Sequence, residues 1–322
     1  MTPKDYIIST LNDLKTPVQI EDIGNTPLEE AIYAKVMSKK FRKLKAGDEC
    51  IEIAKKAISV SVKENKPIRI FQMFGGNKLW RFEESPEIDW AELFSLIYFL
   101  QWSRLIASVY KPGVVFEYFS QDISVESLNN VPRSETDKYS QTFRELIKFI
   151  EPYLPQNLKV IYTRHFDLFE NPDDYYKELE VAKEKMLKDN KGELPKMTEQ
   201  QLVATEMNVK LKPGQADDPK WREKVELEHQ AIFITPTLDK YTSDPDIIWT
   251  CPTYYPDSVV TGSTKRSYAK FWAAVGALKK EKDQYAELVL TPKQLENAKF
   301  EWEDINIEGL EGKNFKRIRI VE

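Results

Sequence analysis

Residues 67–131 constrain the fold of this chain more than any other stretch. Two strand-like apolar runs, 68–74 and 114–119, are joined by one long helix that starts at Ser85 and Pro86 and continues to about Tyr110. Apolar residues cover most of the circumference of this helix, which predicts that it is buried against a sheet. Each apolar run ends in polar residues, and ligands of α/β proteins bind at the ends of strands. The stretch therefore predicts both a sheet and the edge of that sheet where chemistry can occur.

The alternation of strands and helices continues along the chain. Residues 135–150 have the pattern of a helix, and residues 158–163 have the pattern of a third strand. This alternation predicts an α/β fold with a doubly wound, mainly parallel sheet. Later strand candidates are 247–251, 269–278 and 285–290. The second of these also fits helical spacing, but KKEKDQ followed by YAELVL resembles a hairpin and favours a strand.

The chain divides into three predicted parts. Residues 1–66 form a helical lead-in that packs on the main domain. Residues 67–170 and 224–322 form the α/β core. Residues 171–223 are charged at first and then polar, with several glycines and prolines. This composition predicts a helical or loop insertion that can serve as a lid or a partner surface.

Charge and hydropathy exclude several classes of partner. The chain of 322 residues has 47 basic and 52 acidic side chains, a net charge of −5 that gives no general reason to bind nucleic acid or anionic membrane. The most apolar window, 93–100, is far shorter than the roughly 20 residues that a membrane-spanning helix needs. The N-terminus lacks the apolar segment of a signal peptide, and the two cysteines form no Cys-x-x-Cys pattern. We therefore expect a cytoplasmic protein with reduced thiols.

The usual cofactor signatures are missing from the sequence. His165 and His229 are the two histidines, and neither belongs to a pattern that places metal ligands on one helix face. The chain contains no Walker loop, no Gly-x-Gly-x-x-Gly and no Gly-x-Ser-x-Gly. We therefore expect no cofactor and no transition metal, although an all-carboxylate magnesium site stays open.

The first of four polar clusters, residues 75–81, directly follows the first strand. Its two glycines permit a tight turn in which backbone NH groups approach a ligand. Lys78 and Arg81 are candidates for holding a phosphate or a carboxylate, with Asn77 beside them. The alternative is an ordinary strand-to-helix turn with two solvated cations.

Two further clusters follow the second and third strands. Ser120, Gln121 and Asp122 follow the second strand, and Asp122 can act as a base or hold an ammonium or hydroxyl group. Arg164 and His165 follow the third strand, where the imidazole is a candidate proton carrier. The alternatives are a cap for the following turn at Asp122 and a surface histidine beside an Arg–Asp pair.

The fourth cluster, residues 261–267, is the densest group of phosphate-friendly side chains. Ser263, Thr264, Lys265 and Arg266 combine small hydroxyls with two cations beside a glycine. Such a set can bind a phosphoryl group without a nucleotide fold. The alternative is a polar turn that precedes a strand.

Residues 67–139 resemble the pyoverdine/dityrosine biosynthesis family, the isocyanide (isonitrile) synthases. The order and spacing of short motifs carry the resemblance over about 70 residues, under a quarter of the chain. The matching residues are Asn77-Lys78-Leu79, Pro86-Glu87, Tyr110-Lys111-Pro112-Gly113, Ser120-Gln121-Asp122, Val131-Pro132 and Tyr139. The chain departs from the family where Ser-Asp-Gly has become Ser-Gln-Asp. The family's Ser-Ile-His-Pro element is not visible, and GSTKRSYAKFW occupies a comparable place.

The resemblance implies a Rossmann-like fold and a specific chemistry. The family reaction joins the amine of an amino acid to the carbonyl of ribulose 5-phosphate and converts the nitrogen into an isocyanide. The substrates implied for this chain are therefore an amino acid and a sugar phosphate. We assign Lys265 and Arg266 to binding of the phosphate. We assign Lys78 and Arg81 to binding of the amino-acid carboxylate, and Asp122 and His165 to proton transfer.

Two alternatives differ from this reading. The chain can be another transferase or lyase that acts on a phosphorylated small molecule on the same scaffold. It can also be a non-catalytic binding or scaffold protein, because fold analogy does not establish a reaction. Clustering of the polar motifs in one deep cleft favours an enzyme, and dispersal over the surface favours a scaffold.

Overall fold

The computed structural model describes residues 1–82, 84, 86–193, 209–210, 218–252 and 255–322. Side chains are described throughout these ranges except at residues 77 and 219–224. Its helices are α1 Pro3–Lys15, α2 Leu28–Val36, α3 Asp48–Glu64, α4 Trp90–Ala107, α5 Asp122–Asn129, α6 Arg133–Ile150, α7 Pro172–Asp189, α8 Pro219–Ile232, α9 Pro236–Thr242 and α10 Pro292–Asn297. Its strands are β1 Ile68–Phe74, β2 Val114–Ser120, β3 Leu158–Arg164, β4 Ile247–Cys251, β5 Val259–Val260, β6 Val275–Glu281, β7 Gln284–Leu290, β8 Phe300–Asp304 and β9 Arg317–Val321.

Five of the described strands form a wholly parallel sheet in the order β3-β2-β1-β4-β5. The strands β1, β2 and β3 are in direct register, so that Phe74, Ser120 and Arg164 end them side by side. Helices and loops cover both faces, with α3 and α4 on one and α9 on the other. The predicted α/β fold with a doubly wound parallel sheet is therefore confirmed.

The later strands form a separate four-stranded sheet in the order β7-β6-β9-β8. The predicted hairpin is present, because β6 and β7 pair antiparallel with Glu281 opposite Gln284. The predicted strand 269–278 is only partly correct: residues 271–273 form a short 3-10 helix, and the strand begins at Val275. The strands β8 and β9 complete this sheet beyond the predicted elements.

The helix α4 lies between the two sheets. It contacts β2 and β3 of the parallel sheet as well as β6 and β7 of the second sheet. This position explains why almost every side chain of α4 is buried and why its sequence is apolar all round. The close approach of β6 requires a glycine, since a Cβ atom at Gly276 would lie 2.4 Å from the Cβ atom of Trp90.

The start of α4 differs from the prediction. We expected the helix to begin at Ser85 and Pro86, but it begins at Trp90 with Asp89 as its cap, and Ser85 is outside the described residues. The Asp89 carboxylate accepts a hydrogen bond from the Ala91 backbone NH at 2.7 Å, and Glu92 reaches back to the Asp89 NH at 2.8 Å. This capping box fixes the helix entry and buries two carboxylates there.

The helices α5, α7 and α8 pack on one another through their own small apolar cluster. In the predicted insertion 171–223, the structure describes α7, the residues directly after it, Val209, Lys210 and the start of α8. Residues 194–208 and 211–217 lie outside the described ranges, so the boundaries of the three predicted parts stay predictions. No helix in the described ranges is long and apolar enough to cross a membrane.

Candidate active site at the switch point of the sheet

A cavity of about 230 Å³ lies at the carboxyl ends of the parallel strands, next to β1 and β4. The order of the sheet places β2 and β3 on one side of β1 and β4 and β5 on the other, so the winding direction reverses between β1 and β4. Ligands of open α/β sheets bind in the crevice at such a switch point. The lining residues are Met73, Phe74, Gly75, Gln121, Ser124, Leu128, Asn129, His229, Phe233, Trp249, Thr250, Cys251, Tyr255, Asp257, Ser258, Lys270 and Trp272.

Lys270 supplies a buried amine to this cavity. The residue is only 8% exposed, and its Nζ atom lies 5.7 Å from the centre of the Trp272 ring. Within the described ranges, no carboxylate forms an ion pair with it. Burial lowers the pKa of Lys270; the nearby Cys251 acts in the opposite direction, and Arg81 lowers it further. The amine is therefore poised to release its proton more readily than an exposed lysine.

The loop before Lys270 is held by its own hydroxyl groups. Ser263 Oγ accepts a hydrogen bond from the Phe271 backbone NH at 3.2 Å. Thr264 Oγ1 donates to the Glu287 carbonyl and accepts from the backbone NH groups of Arg266 and Ser267. Both hydroxyls were predicted to bind phosphate, but they are only 1% exposed and serve the loop instead. Through these hydrogen bonds they hold the loop that carries Lys270.

Lys265 and Arg266, the predicted phosphate ligands, do not line the cavity. Both side chains are exposed, and Arg266 pairs with Glu281 at 2.9 Å. The tight turn that carries them needs a glycine, because a Cβ atom at Gly262 would lie 2.6 Å from the Ser267 carbonyl oxygen. The turn therefore directs these cations to solvent while it buries the hydroxyls.

Three other reactive side chains line the same cavity. Burial, followed by the charge of Lys270, lowers the pKa of His229 to about 4, so this imidazole is neutral at neutral pH. Burial raises the pKa of Asp257. Cys251 ends β4 with a partly buried thiol that is in no disulfide. The cavity is thus lined by an amine together with an imidazole, a carboxyl group and a thiol, all of which can exchange protons.

The first predicted cluster contributes its glycine to the cavity, but its lysine is turned inward. The Lys78 ammonium lies 2.9 Å from Asp89 and 2.7 Å from Glu92, and Tyr139 donates to the same Glu92 carboxylate at 2.8 Å. Lys78 is fully buried in this ion cluster and lies outside the cavity lining. The geometry therefore argues against the predicted contact between Lys78 and a substrate carboxylate.

The two other predicted ligands of this cluster are placed differently. Arg81 stacks on the Trp80 ring, with its guanidinium carbon 4.4 Å from the ring centre. Burial lowers the pKa of Arg81, and its charge is near enough to act on Lys270. Asn77 begins a short 3-10 helix after β1, and its side chain is outside what the structure describes.

The second cluster is divided between two environments. Gln121 lines the cavity, and its backbone NH donates to the Phe74 carbonyl at 2.7 Å. Asp122 turns towards β3 instead, where its carboxylate accepts a 2.5 Å hydrogen bond from Arg164. Ser120 is buried beside Tyr162. Only Gln121 of these three predicted residues reaches the cavity.

Asp122 remains a titratable group of interest beside the cavity. Burial raises the pKa of Asp122 to about 6, although the Arg164 guanidinium acts in the opposite direction. Arg164 also contacts Asp137 at 2.7 Å, so it bridges two acidic residues. This arrangement occupies Arg164 with protein carboxylates.

His165 does not take part in the cavity. It is fully buried among the rings of Phe119, Phe169 and Tyr175, and neither of its ring nitrogens has a hydrogen-bond partner among the described residues. Burial lowers the pKa of His165 to about 3. The predicted role as a proton carrier is therefore not supported by its position. The predicted alternative of a surface histidine is wrong.

Sequence reasoning missed four residues of the cavity. Lys270, Cys251, His229 and Asp257 come from separate elements, and only the fold brings them together. One local signal was present: Lys270 stands inside the aromatic run YAKFW, where a solvated lysine is unexpected. Among the described residues, no cluster of three acidic, histidine or cysteine side chains could hold a metal ion.

Comparison with known proteins identifies a similar fold. No protein-family model matches the chain, and no curated protein matches its sequence. The structure is similar to that of the PvcA protein from Pseudomonas aeruginosa, with a TM-score of 0.60, 14% identity and coverage of 92% of this chain and 100% of that chain. A tyrosyl-tRNA synthetase from Aeropyrum pernix aligns at a TM-score of 0.34 and 10% identity over 70% of this chain and 53% of its own, too low to support an argument. The chain therefore shares its fold with PvcA.

Proposed function

We propose that this chain is a small-molecule biosynthetic enzyme of the isocyanide synthase-like group. In this proposal it joins the amine of an amino acid to the carbonyl of a sugar phosphate such as ribulose 5-phosphate. The observation that carries the proposal is the cavity at the switch point, which contains a buried amine at the same sheet edge as the predicted motifs. The shared fold with PvcA supports it.

The cavity residues divide into polar and aromatic groups with different proposed roles. Lys270 and the Gln121 amide would contact the polar part of the substrates, and Trp249 and Trp272 would pack against the apolar part. Asp257 would transfer protons, because its raised pKa favours the protonated form of a carboxyl group. Lys265 and Arg266 have no role in the proposed site.

The alternatives from the sequence make different predictions for the same experiment. Another transferase or lyase would bind a phosphorylated metabolite without forming an isocyanide. A scaffold protein would bind neither substrate.

Of the four predicted clusters, the first and second reach the cavity through Gly75 and Gln121, while the third and fourth face elsewhere. We therefore base the enzymatic proposal on the cavity rather than on the clusters as a group.

The test is incubation of the purified chain with pooled amino acids and ribulose 5-phosphate, followed by mass detection of products. The proposal expects a product that carries one extra carbon and two fewer hydrogens than one of the amino acids. A variant with the cavity filled, Leu128→Trp, should lose the product, whereas the surface variant Lys265→Ala should form it at the wild-type rate. A folded wild-type protein that binds no sugar phosphate and forms no product would contradict the proposal.

A further inference from the structure

The environment of Lys270 is unusual for a lysine that only binds an anion. Its amine lies 5.7 Å from the centre of an indole ring, in a cavity that several aromatic residues line, and no described carboxylate pairs with it. A protonated lysine in such a place has lost its hydration without gaining a counter-ion. Arg81 brings a second positive charge near it. Burial and a neighbouring cation are the two conditions that make a lysine amine nucleophilic.

The surroundings of Lys270 fix its position. Its carbonyl accepts the Ala273 NH at 3.0 Å, and the preceding loop is tied down by Ser263 and Thr264. A flexible surface lysine would first have to be ordered before it reacted, which costs side-chain entropy. Here the fold already holds the amine at the carboxyl ends of the strands, in the proposed substrate cavity.

We propose that the side-chain amine of Lys270 forms an imine with the carbonyl carbon of the substrate inside this cavity. The inference rests on the proposed function, since the carbonyl compound is the sugar phosphate of that proposal. It assigns a covalent catalytic role to a residue outside the motifs that resemble the isocyanide synthases.

The step is balanced without a further reactant. The Nζ lone pair attacks the carbonyl carbon, a C–N bond forms, and the C=O double bond becomes a C–O single bond. Two protons leave the nitrogen and reach the oxygen, which departs as water, so that an amine and a ketone give an imine and water. His229 is neutral at neutral pH and can accept a proton, and Asp257 in its protonated form can donate one.

The imine then prepares the carbonyl carbon for the amino acid. The substrate amine attacks the protein-bound imine carbon, the bond to Lys270 breaks, and the lysine amine is regenerated. This exchange of one amine for another replaces a slow attack on a free ketone. The net result is the amine–carbonyl union of the proposed function, with Lys270 unchanged at the end.

An anion-binding role for Lys270 gives different results for two substitutions. Lys270→Arg keeps the positive charge but cannot form an imine under these conditions. If Lys270 only held a phosphate, the arginine variant should retain a large part of the binding and turnover. If Lys270 is the nucleophile, this variant should be as inactive as Lys270→Ala, and added ethylamine should partly restore turnover to Lys270→Ala.

The decisive experiment is chemical trapping on the wild-type protein, which does not depend on the folding of any variant. The full chain is incubated near neutral pH with ribulose 5-phosphate and sodium borohydride, and the modified peptide is located by mass spectrometry. We expect one adduct, on Lys270, that is unchanged in the surface variant Lys265→Arg and absent in Lys270→Arg. A protein that binds ribulose 5-phosphate but carries no adduct on Lys270 would overturn the inference and leave the proposed function standing.

A second probe distinguishes an unreactive Lys270 from a wrong choice of carbonyl substrate. Glycolaldehyde is a small carbonyl compound that needs no sugar-phosphate site. With limiting glycolaldehyde and borohydride, Lys270 should be labelled before the exposed lysines, including Lys265. Labelling of Lys270 by glycolaldehyde in a protein that does not bind ribulose 5-phosphate would support a nucleophilic Lys270 and contradict the proposed substrate. Equal labelling of exposed lysines with none on Lys270 would overturn the inference itself.

Discussion

The Lys78 ammonium and the Glu92 carboxylate form a completely buried ion pair, with Nζ 2.7 Å from both carboxylate oxygens. Asp89 adds a second carboxylate to the same ammonium, and burial raises the pKa of Glu92. The pair joins the loop after β1 to the start of α4, so it links the edge of the parallel sheet to the helix between the sheets. In this motif, which resembles a substrate-binding loop, Lys78 therefore has a structural role.

Replacing Lys78 with methionine should destabilise the protein by about 3–5 kcal/mol, because two buried carboxylates lose their counter-ion. Urea unfolding followed by fluorescence measures this change. The matched control is Lys138→Met, whose side chain is 43% exposed and should change stability by less than about 0.5 kcal/mol. A stable Lys78→Met protein that has lost amino-acid binding would restore the carboxylate-binding role that the sequence predicted.

Asp122 should make the protein less stable as the pH rises from about 4 to about 6. Its pKa in the folded chain is raised to about 6 by burial, so the folded state holds the proton more tightly than the unfolded state. Stability from this group is present below pH 4 and is lost as the pH rises through 6, by up to about 3 kcal/mol. Asp122→Asn should remove this slope. Parallel pH curves for the two proteins would contradict the assignment.

His165 should have the opposite effect. Burial lowers the pKa of His165 to about 3, so below pH 6.5 the unfolded chain binds a proton that the folded chain does not bind. The wild type should therefore lose up to about 1.4 kcal/mol of stability for each pH unit below 6.5. His165→Phe should suppress this loss while keeping the aromatic packing. Unfolding curves at pH 5 and pH 7 measure the difference, and an equal gain or loss at both would count against it.

Thr264→Val should weaken the loop that carries Lys270. The hydroxyl makes three hydrogen bonds to the backbone, two of which satisfy NH groups of the loop. Its loss should lower the free energy of unfolding by about 1–3 kcal/mol and reduce borohydride trapping on Lys270. Lys265→Ala, next to it and exposed, is the control. Normal stability with loss of phosphate binding alone would favour the direct contact that the sequence predicted.

The parallel sheet could be predicted because its signals are local. The strands β1 to β3 are short apolar runs, the helices between them have their own ends, and Gly113 permits the turn into β2 with a positive φ of 82°. The second sheet was harder to predict. The strand β8 has four exposed side chains in the sequence FEWED, so it lacks the apolar alternation that marks a half-buried strand.

The site was predicted less well because burial, and not residue type, decides which polar groups are available. Lys78 forms ion pairs with Asp89 and Glu92, which lie 11 and 14 residues further along the chain. Only the fold, through the capping box at the start of α4, brings these two carboxylates to the lysine. His165 turns into an aromatic cluster rather than to the sheet edge. Lys270 is the reverse case: an amine in an aromatic run that the fold leaves without a described carboxylate partner.

The measurement that tests the central claim most directly is calorimetric titration of ribulose 5-phosphate into three proteins. These are the wild type, Lys270→Ala, and the double variant Lys265→Ala/Arg266→Ala. If the cavity is the site, Lys270→Ala should weaken binding at least about tenfold, or about 1.4 kcal/mol, and the double variant should bind like the wild type. Wild-type affinity in Lys270→Ala together with lost binding in the double variant would contradict the account and return the site to the surface turn.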